Sequence, residues 1–194
     1  MAYDRALPNK LGRLVWMLAR LVHQWLVPGA MAHAVGSGLA ADEQGRPSVR
    51  RSAMMGVMTD FNEFNRGVIA EFRANGGNVS GTFDKMPMIL VTHIGAKSGT
   101  AYTSPLVYTT SGTSFVIIAS KGGAPDDPQW FRNLVANPEV TIEVGTETIP
   151  VRARVAADDE RERLYRAQAD VMPNFDEYAK NTTRQIPVVV LDRR

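Results

Sequence analysis

MILVTHIGAKSGTAYTSPLVYTTSGTSFVIIASKGG, residues 88–123, is a series of short apolar, β-branched stretches broken twice by a lysine framed by small residues. Met88 to Thr92, Thr103 to Thr109 and Ser114 to Ser120 read as strands, with reversals at Lys97-Ser98-Gly99 and Ser111-Gly112. Strands joined by such short turns pair antiparallel. The two lysine turns, Gly95-Ala96-Lys97-Ser98-Gly99 and Ser120-Lys121-Gly122-Gly123, follow apolar strands. Glycine allows positive φ, so consecutive amides can converge with one ammonium on an anion. Two such turns in one domain point to an extended anionic ligand.

Downstream, Asp127 and Pro128 open a short helix carrying Trp130, Phe131 and Leu134, ended by Asn137-Pro138. Val140 to Val144 and Thr148 to Val155 form a hairpin around Gly145. A helix from Asp158 to about Val171 breaks near Pro173. A shorter helical piece carries Phe175 and Tyr178, and Ile186 to Leu191 is a last strand. Upstream, Asp60 caps a helix whose Phe61, Phe64, Val68 and Phe72 share a face, until Asn75-Gly76-Gly77 stops it. Six mainly antiparallel strands with peripheral helices make an α+β protein built on a small barrel. No βαβ alternation or Gly-x-Gly-x-x-Gly run supports a dinucleotide-binding fold.

Residues 1–58 read as an N-terminal extension, and 59–194 as the folded domain. Within the extension, Leu11, Leu14, Val15, Leu18, Leu21, Val22 and Trp25 follow helical spacing opposite Lys10, Arg13, Arg20 and Gln24. Residues 10–27 could lie on a membrane surface, dock on the protein or a second subunit, or belong to a cleaved signal ending near Ala30-Met31-Ala32. They are too charged to span a bilayer. Gly36 to Arg51 reads as a linker, and Met54, Met55 and Met58 are possible alternative starts before the folded part.

The 194 residues are 44% hydrophobic with a net charge of +2, enough for one buried core and too weakly basic to favour nucleic acid. With no cysteine and only His23, His33 and His93, thiol chemistry is excluded and no metal centre is expected. The first lysine turn imitates a phosphate-binding P-loop, but Ala96 precedes Lys97 and a strand follows. The second precedes a helix N-terminus, which favours anions. Trp130 fits either a core anchor or a wall beside a flat ring. Tyr178 fits a structural role, a pocket cover or a proton donor. His93 reads as a hydrogen-bonded core or rim residue.

From about Phe61 onward the chain resembles the deazaflavin-dependent nitroreductase family. The resemblance rests on Phe64-Asn65-Arg66, Gly76-Gly77, the run from Thr92 to Gly99, Ser104 to Tyr108, Ala119 to Ala124, Pro128 to Phe131, Asn133-Leu134, Ala136 to Pro138 and Arg184 to Leu191. It implies a flavin-type split β-barrel that uses coenzyme F420. It also implies that Lys97, Ser98, Gly99, Lys121, Gly122 and Gly123 hold the phosphate and glutamyl tail. Pro105, Leu106, Ser120 and Trp130 would then lie along the deazaflavin. Trp130, Met172, Phe175 and Tyr178 would shape the substrate side, and Tyr178 and Ser120 are the candidate catalytic groups.

Ala96 and Tyr102 stand where nitroimidazole-activating members commonly have arginine, so Lys97 and Lys121 carry more of the anion binding. Where those members present tyrosines, this chain has Met172, Phe175 and Tyr178, a more apolar wall. The implied activity is hydride transfer from reduced F420 to an enone, quinone, fused-ring lactone or nitro compound. The competing expectations are a non-catalytic flavin or deazaflavin carrier and a membrane-attached quinone reductase. A monomer or weak oligomer in the cytoplasm completes the expectation.

Overall fold

Along Ser114–Ile118 the side chains alternate between two apolar compartments: Phe115 and Ile117 enter one, Val116 and Ile118 the other. The same alternation sends Val189 and Leu191 inward and Val188 and Val190 outward. A sheet covered on both faces follows. The computed structural model describes residues 62–194. The expected N-terminal extension, and Asp60 and Phe61, lie outside the described residues.

The strands are β1 (Met88–Ile94), β2 (Ala101–Val107), β3 (Thr109–Ser111), β4 (Ser114–Ile118), β5 (Glu139–Val144), β6 (Glu147–Val155) and β7 (Val188–Arg193). They form one sheet in the order β2-β1-β5-β6-β7-β4-β3, with every pairing antiparallel. Seven strands replace the expected six because the expected strand Thr103 to Thr109 is broken at Tyr108. Its two parts become opposite edges of the sheet. Edges separated in the chain by one residue must lie side by side, so the sheet curls into a split barrel. At the break the Tyr108 amide donates to the Pro87 carbonyl at 3.1 Å, and its ring meets Phe115 edge-on at 5.6 Å. Strand β7 also runs two residues later than expected, starting at Val188 and ending at Arg193.

Among the described residues, four α-helices lie around the sheet: α1 (residues 62–74), α2 (Gln129–Ala136), α3 (Asp158–Val171) and α4 (Asn174–Lys180). Val68 and Phe72 of α1 cover Met88 and Leu90, while Ile89 and Val91 of β1 enter the interior. Leu134 of α2 belongs to the interior. Leu164, Tyr165 and Ala169 of α3, with Phe175 and Tyr178 of α4, cover the outer face of β4 and β7. After α1, a β-carbon on Gly77 would lie 2.6 Å from the Gly145 Cα, so the α1 exit can cross the β5–β6 turn this closely only without a side chain.

Candidate functional site

Strand direction decides at which end of the sheet each lysine turn lies. Between β1 and β4 stand β5, β6 and β7, each antiparallel to its neighbour. β1 and β4 therefore point the same way, and the turns that follow them leave the same end of the barrel. An open groove of about 730 Å³, lined by residues including Gly77, Lys85, Tyr108 and Glu147, lies instead by Met88 at the start of β1. At about 3.3 Å per residue, the length of β1 separates that groove from the first lysine turn by roughly 20 Å.

The first turn is a hairpin reversal. The Gly95 amide donates to the Thr100 carbonyl at 2.8 Å, Gly99 to Gly95 at 2.9 Å, and Thr100 to the Ser98 hydroxyl at 3.3 Å. Asn133 ties it to the body of the protein: its Oδ1 accepts from the Ala96 amide at 3.0 Å and from Gln129 Nε2 at 3.1 Å. This orients Asn133 Nδ2 toward His93 Nδ1, 3.0 Å away, where it donates. His93 therefore carries its proton on Nε2, 3.1 Å from the Ser104 hydroxyl that accepts it. Burial holds the His93 pKa below the usual histidine value, in keeping with a neutral ring. The histidine is a buried, hydrogen-bonded residue, as its sequence setting suggests.

The second turn is wound more tightly. Lys121, Gly122 and Gly123 all have positive φ, at 48°, 64° and 82°. A β-carbon on Gly123 would sit 2.7 Å from both the Tyr178 carbonyl and Asn181 Cβ, so this turn is packed onto α4. Arg184 fixes it from beneath. Its guanidinium donates to the carbonyls of Ala119 at 2.9 Å, Ser120 at 2.8 Å and Ala124 at 2.8 Å, and to the Asp127 carboxylate at 2.8 Å. Asp127, expected to cap α2, instead pairs with Arg184, and Pro128 occupies the N-cap position. The Ser120 residue is buried, and its hydroxyl makes no capping bond to the turn.

These bonds leave a common pattern. Among the described residues, the amides of Lys97 and Ser98 in one turn and of Lys121 and Gly122 in the other have no acceptor. The lysines differ. Lys97 is exposed without an acidic partner among the described residues, whereas Lys121 Nζ lies 2.7 Å from Asp126. The hydrogen bond from Lys121 holds the Asp126 carboxyl below its usual pKa. Paired amides with a cation beside each are the donor set that a phosphodiester bearing carboxylates requires. The coenzyme F420 tail fits it.

The remaining candidates divide into two groups. Pro105 and Leu106 lie on β2, paired with Leu90 and Ile89, and Leu106 and Trp130 pack against the interior. Trp130 is half-buried and meets Phe131 edge-on at 6.3 Å. Met172, Phe175 and Tyr178 are instead buried beneath α3 and α4, at 9%, 4% and 6% exposure. The Tyr178 hydroxyl accepts a 2.7 Å bond from Asn174 Nδ2. In this arrangement their side chains pack on the outer face of the sheet. Sequence reasoning missed Arg184, Asn133 and Asp126 as supports of the site. Their only signal was that Arg184 and Asn133 stood among the matching motifs.

The curled antiparallel sheet with peripheral helices defines a split-barrel protein. A solved structure titled as an F420-H2 dependent reductase (FDR-A) shares this architecture with a TM-score of 0.51 and 36% identity, over 55% of this chain and 94% of that one. Another solved structure, titled as a domain-swapped dimer, matches with a TM-score of 0.53 and 32% identity, over 69% of this chain and 98% of the other. The family model of F420H(2)-dependent quinone reductases matches residues 64–193, and the chain belongs to that family. A Mycobacterium tuberculosis protein bearing the family's name is 40% identical over 109 residues, 56% of this chain and 92% of its own length. The protein is thus an F420-dependent oxidoreductase, and coenzyme F420 is its cofactor.

Proposed function

We propose that the two lysine turns hold the anionic tail of F420 and that the protein passes a hydride to an apolar electrophile, quinones being the first class to test. The observation that carries this is the repeated pair of amides beside a lysine, without an acceptor among the described residues, at one end of the barrel. Lys97, Ser98 and Gly99 form one half of the tail site, and Lys121, Gly122 and Gly123 the other. Pro105, Leu106, Ser120 and Trp130 serve the ring end, where apolar walls and a few directed hydrogen bonds are needed. Reduced deazaflavin supplies the hydride when bound. The protein orients the two reactants, excludes water and delivers a proton, with the Ser120 hydroxyl as the candidate donor.

Met172, Phe175 and Tyr178 act as a substrate wall only if α3 and α4 lift from the sheet, because their side chains are buried in the described arrangement. Enones, fused-ring lactones and nitro compounds form the wider substrate panel. Among the described residues no helix is long and apolar enough to cross a membrane. Contact of residues 10–27 with a membrane surface, a cytoplasmic location, a monomeric or weakly associated state, and a boundary near residue 58 belong to the same proposal. Flotation with anionic liposomes tests the membrane contact by comparing the full chain with a chain starting at Met58.

Titration with oxidised F420, followed by its fluorescence, tests the cofactor site. Reoxidation of reduced F420 by quinones tests turnover. Binding with no reoxidation across the whole panel would mark a carrier. Tight flavin mononucleotide binding without F420 binding would remove the tail assignment.

A further inference from the structure

Arg132 stands one position before Asn133 on α2. Asn133 is buried against His93, whereas the Arg132 side chain is 51% exposed and turned toward Asp126, with Nη2 3.5 Å from Oδ2. The same oxygen accepts the 2.7 Å hydrogen bond from Lys121. One carboxylate oxygen is therefore shared by the cation of the second lysine turn and a cation of the helix that follows it. The nearby Asp127 is occupied by Arg184, so its charge is already matched.

We infer that Asp126 is a built-in competitor for the cofactor tail, and that Arg132 is a third cation of the tail site which Asp126 masks together with Lys121. This rests on the reading that the Lys121 turn holds the anionic tail. Asp126 occupies, on an exposed loop, the kind of position a phosphate or glutamate oxygen would take between two cations. An incoming carboxylate or phosphate exchanges with it without unpairing a buried charge, because the Asp126 side chain is 56% exposed and water takes it up. Such exchange lets the site remain paired when unliganded. It also makes affinity depend on how much negative charge the tail brings, since only a tail with enough charge competes.

The test uses the full chain and follows fluorescence titrations with F420 and, separately, with a deazaflavin lacking phosphate and glutamates. Asp126→Asn should bind F420 about twofold to fivefold tighter at low salt, the scale of one exposed ion-pair charge, with the gain shrinking as salt is raised. Arg132→Gln should weaken F420 binding by a similar factor. In the double variant the gain from Asp126→Asn should be reduced. The tail-less deazaflavin should bind all forms alike. Unchanged or weaker F420 binding by Asp126→Asn, with wild-type protein still preferring F420 to the tail-less probe, would overturn the competitor role. Wild-type protein that binds the two probes equally would instead remove the tail reading of the lysine turns, a separate outcome.

Discussion

The Gly95–Gly99 turn hangs from a hairpin and is tied to the protein by Asn133, whereas the Ser120–Gly123 turn is gripped by Arg184 and pressed onto α4. Both present a lysine and two adjacent amides, so the chemistry offered to a ligand is alike while the means of holding it differ. The first turn relies on local hairpin bonds, which form between neighbours in sequence. The second is held by residues some 60 positions later, so its grip needs the C-terminal segment in place. Damage to tertiary packing should therefore reach the second turn first.

Breaking that grip is expected to have the largest effect. Arg184→Ala removes four charge-assisted bonds and leaves Asp127 and three carbonyls without their donor, a loss of about 3 kcal/mol or more. Denaturant unfolding measures it, and F420 affinity should fall with it. Gly123→Ala comes next: a methyl group 2.7 Å from the Tyr178 carbonyl, at a φ of 82°, should cost about 2–3 kcal/mol. In that variant the F420 contribution of Lys121 should vanish while that of Lys97 survives, as a lysine-by-glycine double-mutant comparison would show.

Smaller effects sharpen the other side of the comparison. Asn133→Leu leaves the Ala96 amide and buried His93 Nδ1 without partners, costing about 1–3 kcal/mol of stability. Its amide-exchange signature should be concentrated in the first turn. Lys97→Ala should weaken F420 binding by about 1–3 kcal/mol with no change in unfolding midpoint, since the side chain is exposed and has no acidic partner among the described residues. The smallest effect concerns pH. The folded-state pKa of His93 lies below its ordinary value, so the unfolded chain binds the proton first as pH falls. The His93 contribution is then intact above about 6.5 and declines as pH drops through the depressed folded-state value. Urea midpoints across that window should show this slope, and His93→Gln should flatten it.

Much of this architecture was legible locally. The hairpins β1–β2 and β5–β6 follow from apolar runs and the turns between them, as does the reversal at Ser111-Gly112 before β4, and α3 from its start at Asp158 to its end at Val171 agrees with the sequence pattern. The break at Tyr108 was not legible, because residues 103–109 continue one strand-like pattern. What interrupts it is barrel closure, a matter of where Pro87 and Phe115 lie in space. The all-apolar run Phe115 to Ile118 likewise announces a buried strand without saying which side chains face the interior.

The candidate site shows the same division. Lys97-Ser98-Gly99 and Lys121-Gly122-Gly123 were visible as candidate anion-binding turns because a lysine among small residues has a local meaning. Asp127 looked like a helix cap because it precedes Pro128, yet pairing with Arg184 took it elsewhere. Met172, Phe175 and Tyr178 looked like a substrate wall by family resemblance, and their packing beneath α3 and α4 makes any such contact conditional on helix movement.

Sequence alone determined that this protein is a strand-rich domain carrying two lysine-and-glycine turns, since strand propensity, turn chemistry and positive-φ tolerance are properties of neighbouring residues. Tertiary structure alone decided that both turns leave the same end of a curled sheet, that one is held by Asn133 and the other by Arg184, and that Asp126 stands between Lys121 and Arg132. Those relations depend on strand order and on bonds between residues far apart in the chain, which no local pattern encodes.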